Sequence, residues 1–180
     1  MQRKRFPALQ RGLSLIEICV VLAIVSILAG TALPSLDSML TTRRLEGEAA
    51  ELAIDLHYVR SKAVARNEGV RVSFQTPAGG SCMLVHTGAT ADCTCDATGV
   101  AQCSNGATAL KTTFYPAVRD TSVHANVASM RFDPRTGTVS PAGTVHVSTS
   151  SGPQVQHVVN ILGRVRTCSP DGSAKGYKAC

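Results

Sequence analysis

Apolar and polar residues follow three different periods along the chain, and each change of period marks a change of structure. Residues 13–33 read LSLIEICVVLAIVSILAGTAL, a run of 21 with one charge, Glu17. A helix of that length extends roughly 30 Å, the thickness of a bilayer core. Past Pro34, residues Leu45, Ala49, Leu52, Leu56, Val59 and Ala63 recur at gaps of three and four. That spacing predicts one apolar stripe along a helix, flanked by Arg43, Arg44, Glu46, Glu48, Glu51 and Asp55. The stripe spans too few heptads, with too many alanines, for a coiled coil, so it is expected to pack against the chain's own sheet. Pro34 would break an ordinary helix interior. At a membrane boundary it is expected to kink a helix that continues. Asn67-Glu68-Gly69 supplies the stop, with Gly69 able to take the left-handed conformation. One helix is therefore predicted from near Leu13 to about Asn67, apolar all round at first and amphipathic afterwards.

After residue 70 the period shortens. Segments 70–74, 82–86, 110–115, 129–132 and 144–148 are short runs of strand-forming residues between turn signals, the clearest turn being Asp133-Pro134-Arg135-Thr136-Gly137. The longest predicted strand is 155–165, with Val155, His157, Val159 and Ile161 on one face and Gln156, Val158, Asn160 and Leu162 on the other. No second long helical pattern follows, and about 110 residues suffice for one core. The fold class is α+β, a long N-terminal helix on antiparallel strands.

Charge adds a direction. The formal charge is +6, but Arg3, Lys4, Arg5 and Arg11 all precede residue 13, and the remainder holds 14 basic against 12 acidic residues. Basic residues before an apolar span stay on the cytoplasmic side, which sends the C-terminal part across the membrane. A cleaved secretory signal is the bland alternative. The run is longer than such a signal's apolar region, and it holds a carboxylate that is costly inside a membrane.

Seven Cys, six of them after residue 80, point to an oxidising compartment. Residues 78–106 are rich in small residues and carry Cys82, Cys93, Cys95 and Cys103; they read as a long surface excursion. Cys168 and Cys180 are expected to close a C-terminal loop, leaving those four to form two bonds whose pairing stays open. A direct Cys93–Cys95 bond is disfavoured by its strained ring. The competing metal reading, Cys93 and Cys95 with Cys82, Cys103 or His86, lacks the paired C-x-x-C spacing of common zinc sites. Cys19, in the apolar run, is read as packing.

Catalysis finds no foothold. There is no G-x-S-x-G, Walker loop or H-E-x-x-H, the five His are scattered, and the few carboxylates after residue 70 form no recognisable couple. No enzyme activity, cofactor or metal is expected. With no Trp and 4% aromatics, a groove paved with aromatic rings is also unexpected. One constellation does suggest binding. In extended backbone Arg164 and Arg166 of Gly163-Arg164-Val165-Arg166 point the same way, about 7 Å apart. Lys175 and Lys178 follow in the loop closed by Cys168 and Cys180. Two parallel guanidiniums on a strand suit adjacent phosphates.

Two stretches resemble known families. Arg11-Gly12-Leu13-Ser14-Leu15-Ile16-Glu17, with the apolar run and Pro34 behind it, resembles the signal of type IV pilins and type II secretion pseudopilins. The resemblance implies a leader at 1–12, cut by a prepilin peptidase between Gly12 and Leu13 with methylation of the new N-terminus. The family usually has Phe where this chain has Leu13. It further implies that Glu17 pairs with the N-terminal amine of a neighbouring subunit during assembly. The implied layout is a transmembrane helix at 13–34, an amphipathic continuation at 35–69 and a β-rich periplasmic domain at 70–180, pilin-like and anchored once in the inner membrane. F-D-P-x-x-G, T-V-H-V and V-V-N-I-L-G-R-V-R, over residues 129–168, resemble the C-terminal half of the GspH/FimT minor pilin and pseudopilin family. The Cys-rich middle has no counterpart in that resemblance. Within it, G-R-x-R is associated with FimT-like minor pilins that bind DNA in natural transformation. The carried-over residues are Gly163, Arg164 and Arg166. The implied partners are other pilins or pseudopilins and double-stranded DNA. The alternative is a purely structural subunit, either for pilus assembly or as a minor pseudopilin of a type II secretion system.

Overall fold

The computed structural model describes residues 14–150 and 152–180, without the side chains of 31–35 and 38. The expected leader and the Gly12–Leu13 junction lie outside the described residues. Met1–Leu40 and Thr41–Cys180 form separate compact units. A single helix, α1 (Leu15–Arg66), runs through Pro34 without interruption. In the first unit its side chains Leu15, Ile16, Ile18, Val20, Val21, Leu22, Ile24, Val25, Ile27 and Leu28 are all exposed. Among the described residues no helix is long and apolar enough to cross a membrane. The span expected at 13–34 falls partly outside them.

In the second unit the predicted stripe is the helix's buried face. Leu45, Ala49, Leu52, Leu56, Val59 and Ala63 are all 0% exposed. Burying each of the three leucines contributes about 2 kcal/mol. The helix ends differently from the expectation. Asn67, not Gly69, takes the left-handed conformation, with φ of 50°. Gly69 has another use, because a Cβ there would collide with the Arg131 guanidinium.

Among the described residues eleven strands follow: β1 (Val70–Gln75), β2 (Gly80–His86), β3 (Cys93–Cys95), β4 (Ala101–Cys103), β5 (Ala109–Pro116), β6 (Thr121–Ala125), β7 (Ser129–Phe132), β8 (Val139–Ser140), β9 (Gly143–Thr149), β10 (Gln154–Val159) and β11 (Val165–Cys168). They form a five-stranded sheet in the order β5-β2-β1-β7-β8, a four-stranded sheet in the order β11-β10-β9-β6, and the small ribbon β3-β4. All strand pairings are antiparallel. One core joins the helix stripe to both sheets through Val70, Val72, Met130, Phe132, Val145, Val147, Val155 and Val159. The molecule is α+β, as the residue pattern predicts, and pilin-like, as the resemblance implies.

Two further readings need correction. The 155–165 segment is not one strand. It is a hairpin, with β10 and β11 paired around a turn at 160–164. The other concerns the excursion at 78–106. Its first part is β2, buried from Ser81 to His86 in the middle of the larger sheet. The surface excursion proper begins after it and is stapled by disulfides Cys82–Cys95 and Cys93–Cys103.

Candidate functional site

Asn160 builds the turn between β10 and β11. Its carbonyl accepts from the Gly163 N–H at 2.8 Å, and its own N–H donates to the Arg164 carbonyl at 3.1 Å. Its side-chain Oδ1 accepts from the N–H groups of Leu162 and Arg164 at 3.1 and 3.0 Å. A side-chain amide that satisfies nearby backbone donors competes with the sheet ladder and ends it. Gly163 completes the reversal with φ of +71°, and a Cβ there would come within 2.5 Å of the Gly137 carbonyl oxygen. Both reasons require glycine. The Val139 N–H donates to the Ile161 carbonyl at 2.9 Å, tying the tip to the neighbouring β7–β8 turn. Ile161 and Leu162 therefore sit exposed at the tip instead of on opposite faces of a strand.

Past the turn, Val165 packs against the core. Arg164 and Arg166 flank it and are exposed. With Val165 turned inward, the two arginines share the outer face at about 7 Å spacing. Neither is in an ion pair with another described residue. Arg166 stands opposite Val158 in β10.

The four strands of that sheet contain no Asp or Glu. Their outer face carries Ser122, His124, Thr144, His146, Ser148, Gln154, Gln156 and Val158 beside Arg166. His124 and His146 are directly opposed across β6 and β9, with ring centroids 6.3 Å apart. Burial, and then the neighbouring His124, lower the pKa of His146. A neutral-polar face without carboxylates lets a polyanion approach the arginines without local repulsion. Period-two alternation in β9 and β10 already assigns Thr144, His146 and Gln156 to one face, but β6 has no comparable signal, so the pairing of His124 with His146 was not legible. Arg60 is also missed by motif reasoning. It reaches the hairpin from α1, its Nε 3.3 Å from where a Gly163 Cβ would stand.

The C-terminal tail does not join this cluster. Cys168 and Cys180 are bonded. The Ser169 N–H donates to the Lys178 carbonyl and the Cys180 N–H to the Ser169 carbonyl. Lys178 is thereby held at the far end of β11, three residues or about 10 Å along the strand from Arg166. Lys175 lies beside Arg43, Glu46 and Tyr177, in a cleft of about 430 Å³. Hydrogen bonds from Ser173 hold the Asp171 pKa down to about 2, so it stays charged in the same tail. Glu17 lies in the first turn of α1 and is exposed. The four Cys of the metal reading are consumed in disulfides, and among the described residues no group of three or more His, Cys, Asp or Glu could hold a metal ion.

Residues 48–163, most of α1's buried stripe through the hairpin tip, match the family model of the type II transport protein GspH. The chain belongs to the GspH family. No curated protein and no solved structure matches it. Membership makes the chain a minor pilin or pseudopilin, with other pilins or pseudopilins as partners, and points to a structural role. The match closes on Gly163, so Arg164 and Arg166 lie just beyond the stretch that the GspH family model describes.

Proposed function

We propose that the chain is a FimT-like minor pilin that joins a type IV pilus and binds extracellular double-stranded DNA for uptake in natural transformation. The observation that carries this reading is the hairpin. A turn locked by Asn160 and Gly163 sets two exposed, unpaired arginines side by side, next to a sheet face without carboxylates. Fixed, parallel guanidiniums bind phosphate oxygens with paired donors. The tail residues Lys175 and Lys178 would then contribute only from the periphery.

The rest of the proposal follows the N-terminal signal. A prepilin peptidase cuts after Gly12 and Leu13 becomes the methylated N-terminus, which the intact mass of the membrane-extracted protein reads directly. The helix at 13–34 anchors the chain once in the inner membrane with residues 70–180 in the periplasm, and Glu17 serves assembly. A carboxylate in so apolar a run is worth keeping when a partner needs it. The exposed apolar side chains at 15–28 support a lipid or helix-bundle environment.

A second reading has its own observation. The family match is to a type II transport protein and stops before Arg164. It favours a purely structural subunit, a minor pseudopilin of a type II secretion system.

DNA binding by the full chain in nonionic detergent separates the two. Affinity for duplex DNA should fall steeply between 50 and 200 mM salt, because bound cations release counterions. Replacing Arg164 and Arg166 together with Gln should lower the log–log salt slope by about 2, at about 0.9 per lost contact. The loss should be similar for all duplex sequences, since phosphate contacts carry no base readout. No binding by the wild type at low salt favours the structural subunit. Unchanged affinity and slope in a folded double variant would show that the site lies elsewhere.

A further inference from the structure

The hairpin is not the only source of cations at its tip. Three chain segments meet there: α1 near Arg60, the β7–β8 turn at Gly137, and the β10–β11 turn at Gly163. Both glycines have positive φ, +65° and +71°. A Cβ on Gly137 would come within 2.9 Å of the Arg60 Nε, and one on Gly163 within 3.3 Å of the same atom. The guanidinium therefore occupies a slot that exists because two turns lack side chains. Arg60 is half-buried. No described residue forms an ion pair with it. The acid in the adjoining turn, Asp133, is committed elsewhere, its Oδ1 accepting from the N–H groups of Arg135 and Thr136 and from the Thr136 hydroxyl. A guanidinium set against two turns, with no carboxylate paired to it, has donors free for an anion.

We propose that Arg60 is a third phosphate-binding cation, held by the Gly137–Gly163 slot beside Arg164, so that the DNA-contacting site is built from α1 and the hairpin together. Adjacent Cα atoms are about 3.8 Å apart. The Arg60 Nε, 3.3 Å from where a Gly163 Cβ would stand, therefore lies within about 9 Å of the Arg164 Cα. The Gly of G-R-x-R gains a third reason: besides making the turn and clearing the Gly137 carbonyl, it leaves room for the arginine from the helix. This rests on the DNA reading and extends it from two cations on one strand to three on two elements.

The experiment compares Arg60→Gln, Arg60→Lys and the Arg164→Gln/Arg166→Gln pair with the wild-type full chain, titrating duplex DNA over a range of salt. Thermal melts run in parallel. Arg60→Gln should lower the salt slope by about 0.9, Arg60→Lys should keep it, and all three changes together should lower it by about 2.7. A role confined to packing would shift the melt of Arg60→Gln and leave the slope alone, which overturns the proposal. A wild type that binds, with a slope that responds to Arg164 and Arg166 but not to Arg60, also overturns it and leaves the hairpin reading intact. A wild type that does not bind at low salt removes both.

Discussion

Five residues apart on α1, Asp55 and Arg60 meet opposite treatment. Asp55 is 3% exposed and lies 2.6 Å from the Lys111 Nζ of β5. Burial alone would lower the Lys111 pKa, but the hydrogen bond and charge of Asp55, with Glu51 behind it, raise it overall. Here a charge is hidden and matched. Arg60 reaches the hairpin end of the domain with two glycines against it and no acid paired to it. The ion pairs among the described residues fall at Arg43–Glu46, Lys111–Glu51 and Lys111–Asp55, away from the hairpin. Charge that serves folding is compensated inside the chain. Charge left uncompensated against rigid turns is available to a ligand.

The largest effect should come from the folding side. Leu52 is fully buried between the helix and the sheets. Leu52→Ala should destabilise the domain by about 2–5 kcal/mol, through lost burial and the cavity left behind. Chemical denaturation would measure it. Below the melting transition the DNA salt slope should stay unchanged, since no cation moves. A lowered slope in a sample still fully folded would contradict the division between the two regions.

A change of pH probes the boundary between them. His157 lies on the inner face of β10, 0% exposed, with Nδ1 2.9 Å from the Thr167 hydroxyl of β11. Its Nε2 has no hydrogen bond of normal geometry. Burial lowers its pKa to about 4, and the Ala49 carbonyl near the ring offsets only part of that. In the unfolded chain the same group titrates near 6.5. Between those values the unfolded state holds more protons, so stability is full above about pH 6.5 and is lost as pH falls toward 4. The 2.5-unit gap corresponds to roughly 3 kcal/mol. Buried His86, also lowered by burial, acts in the same direction. Replacing His157 with Gln should flatten this acid limb in denaturation curves from pH 7 to 4. An equally steep limb in the variant would place the acid sensitivity elsewhere.

Reading the residues alone identified the helix, its buried stripe and most strands, because period and burial follow directly from local sequence. It failed where side chains act on the backbone at a distance. Asn160 looks like any strand residue until its amide is seen to hold the Leu162 and Arg164 N–H groups. Asn67 took the left-handed position that Gly69 was expected to fill, and Gly69 instead admits the close approach of Arg131. Strand β6 is short and weakly patterned, and it is held partly by the Val123 N–H donating to the buried Ser81 hydroxyl. In the candidate site Arg164 and Arg166 were legible because they are two residues apart. Arg60 was not, because about a hundred residues separate it from the hairpin and its slot depends on glycines in two turns.

The smallest effect is expected from the lysines of the tail. Their proximity to the arginines in sequence suggested one cluster, but the disulfide and the Ser169 hydrogen bonds fold the tail back at the opposite end of β11. Lys178 is about 10 Å along the strand from Arg166. Lys175 shares its surroundings with Glu46, and charged Asp171 lies in the same tail. At about 0.15 M salt the screening length is about 8 Å, so most of their influence on a phosphate at the hairpin is damped. Replacing Lys175 and Lys178 together with Gln should lower the salt slope by less than about 0.9, the value of one direct contact. Affinity should respond mainly at the lowest salt, where screening is weakest. A slope loss near 2, equal to that of the arginine pair, would mean that the duplex lies along the whole length of β11. The contrast between the two ends of that strand would then fail.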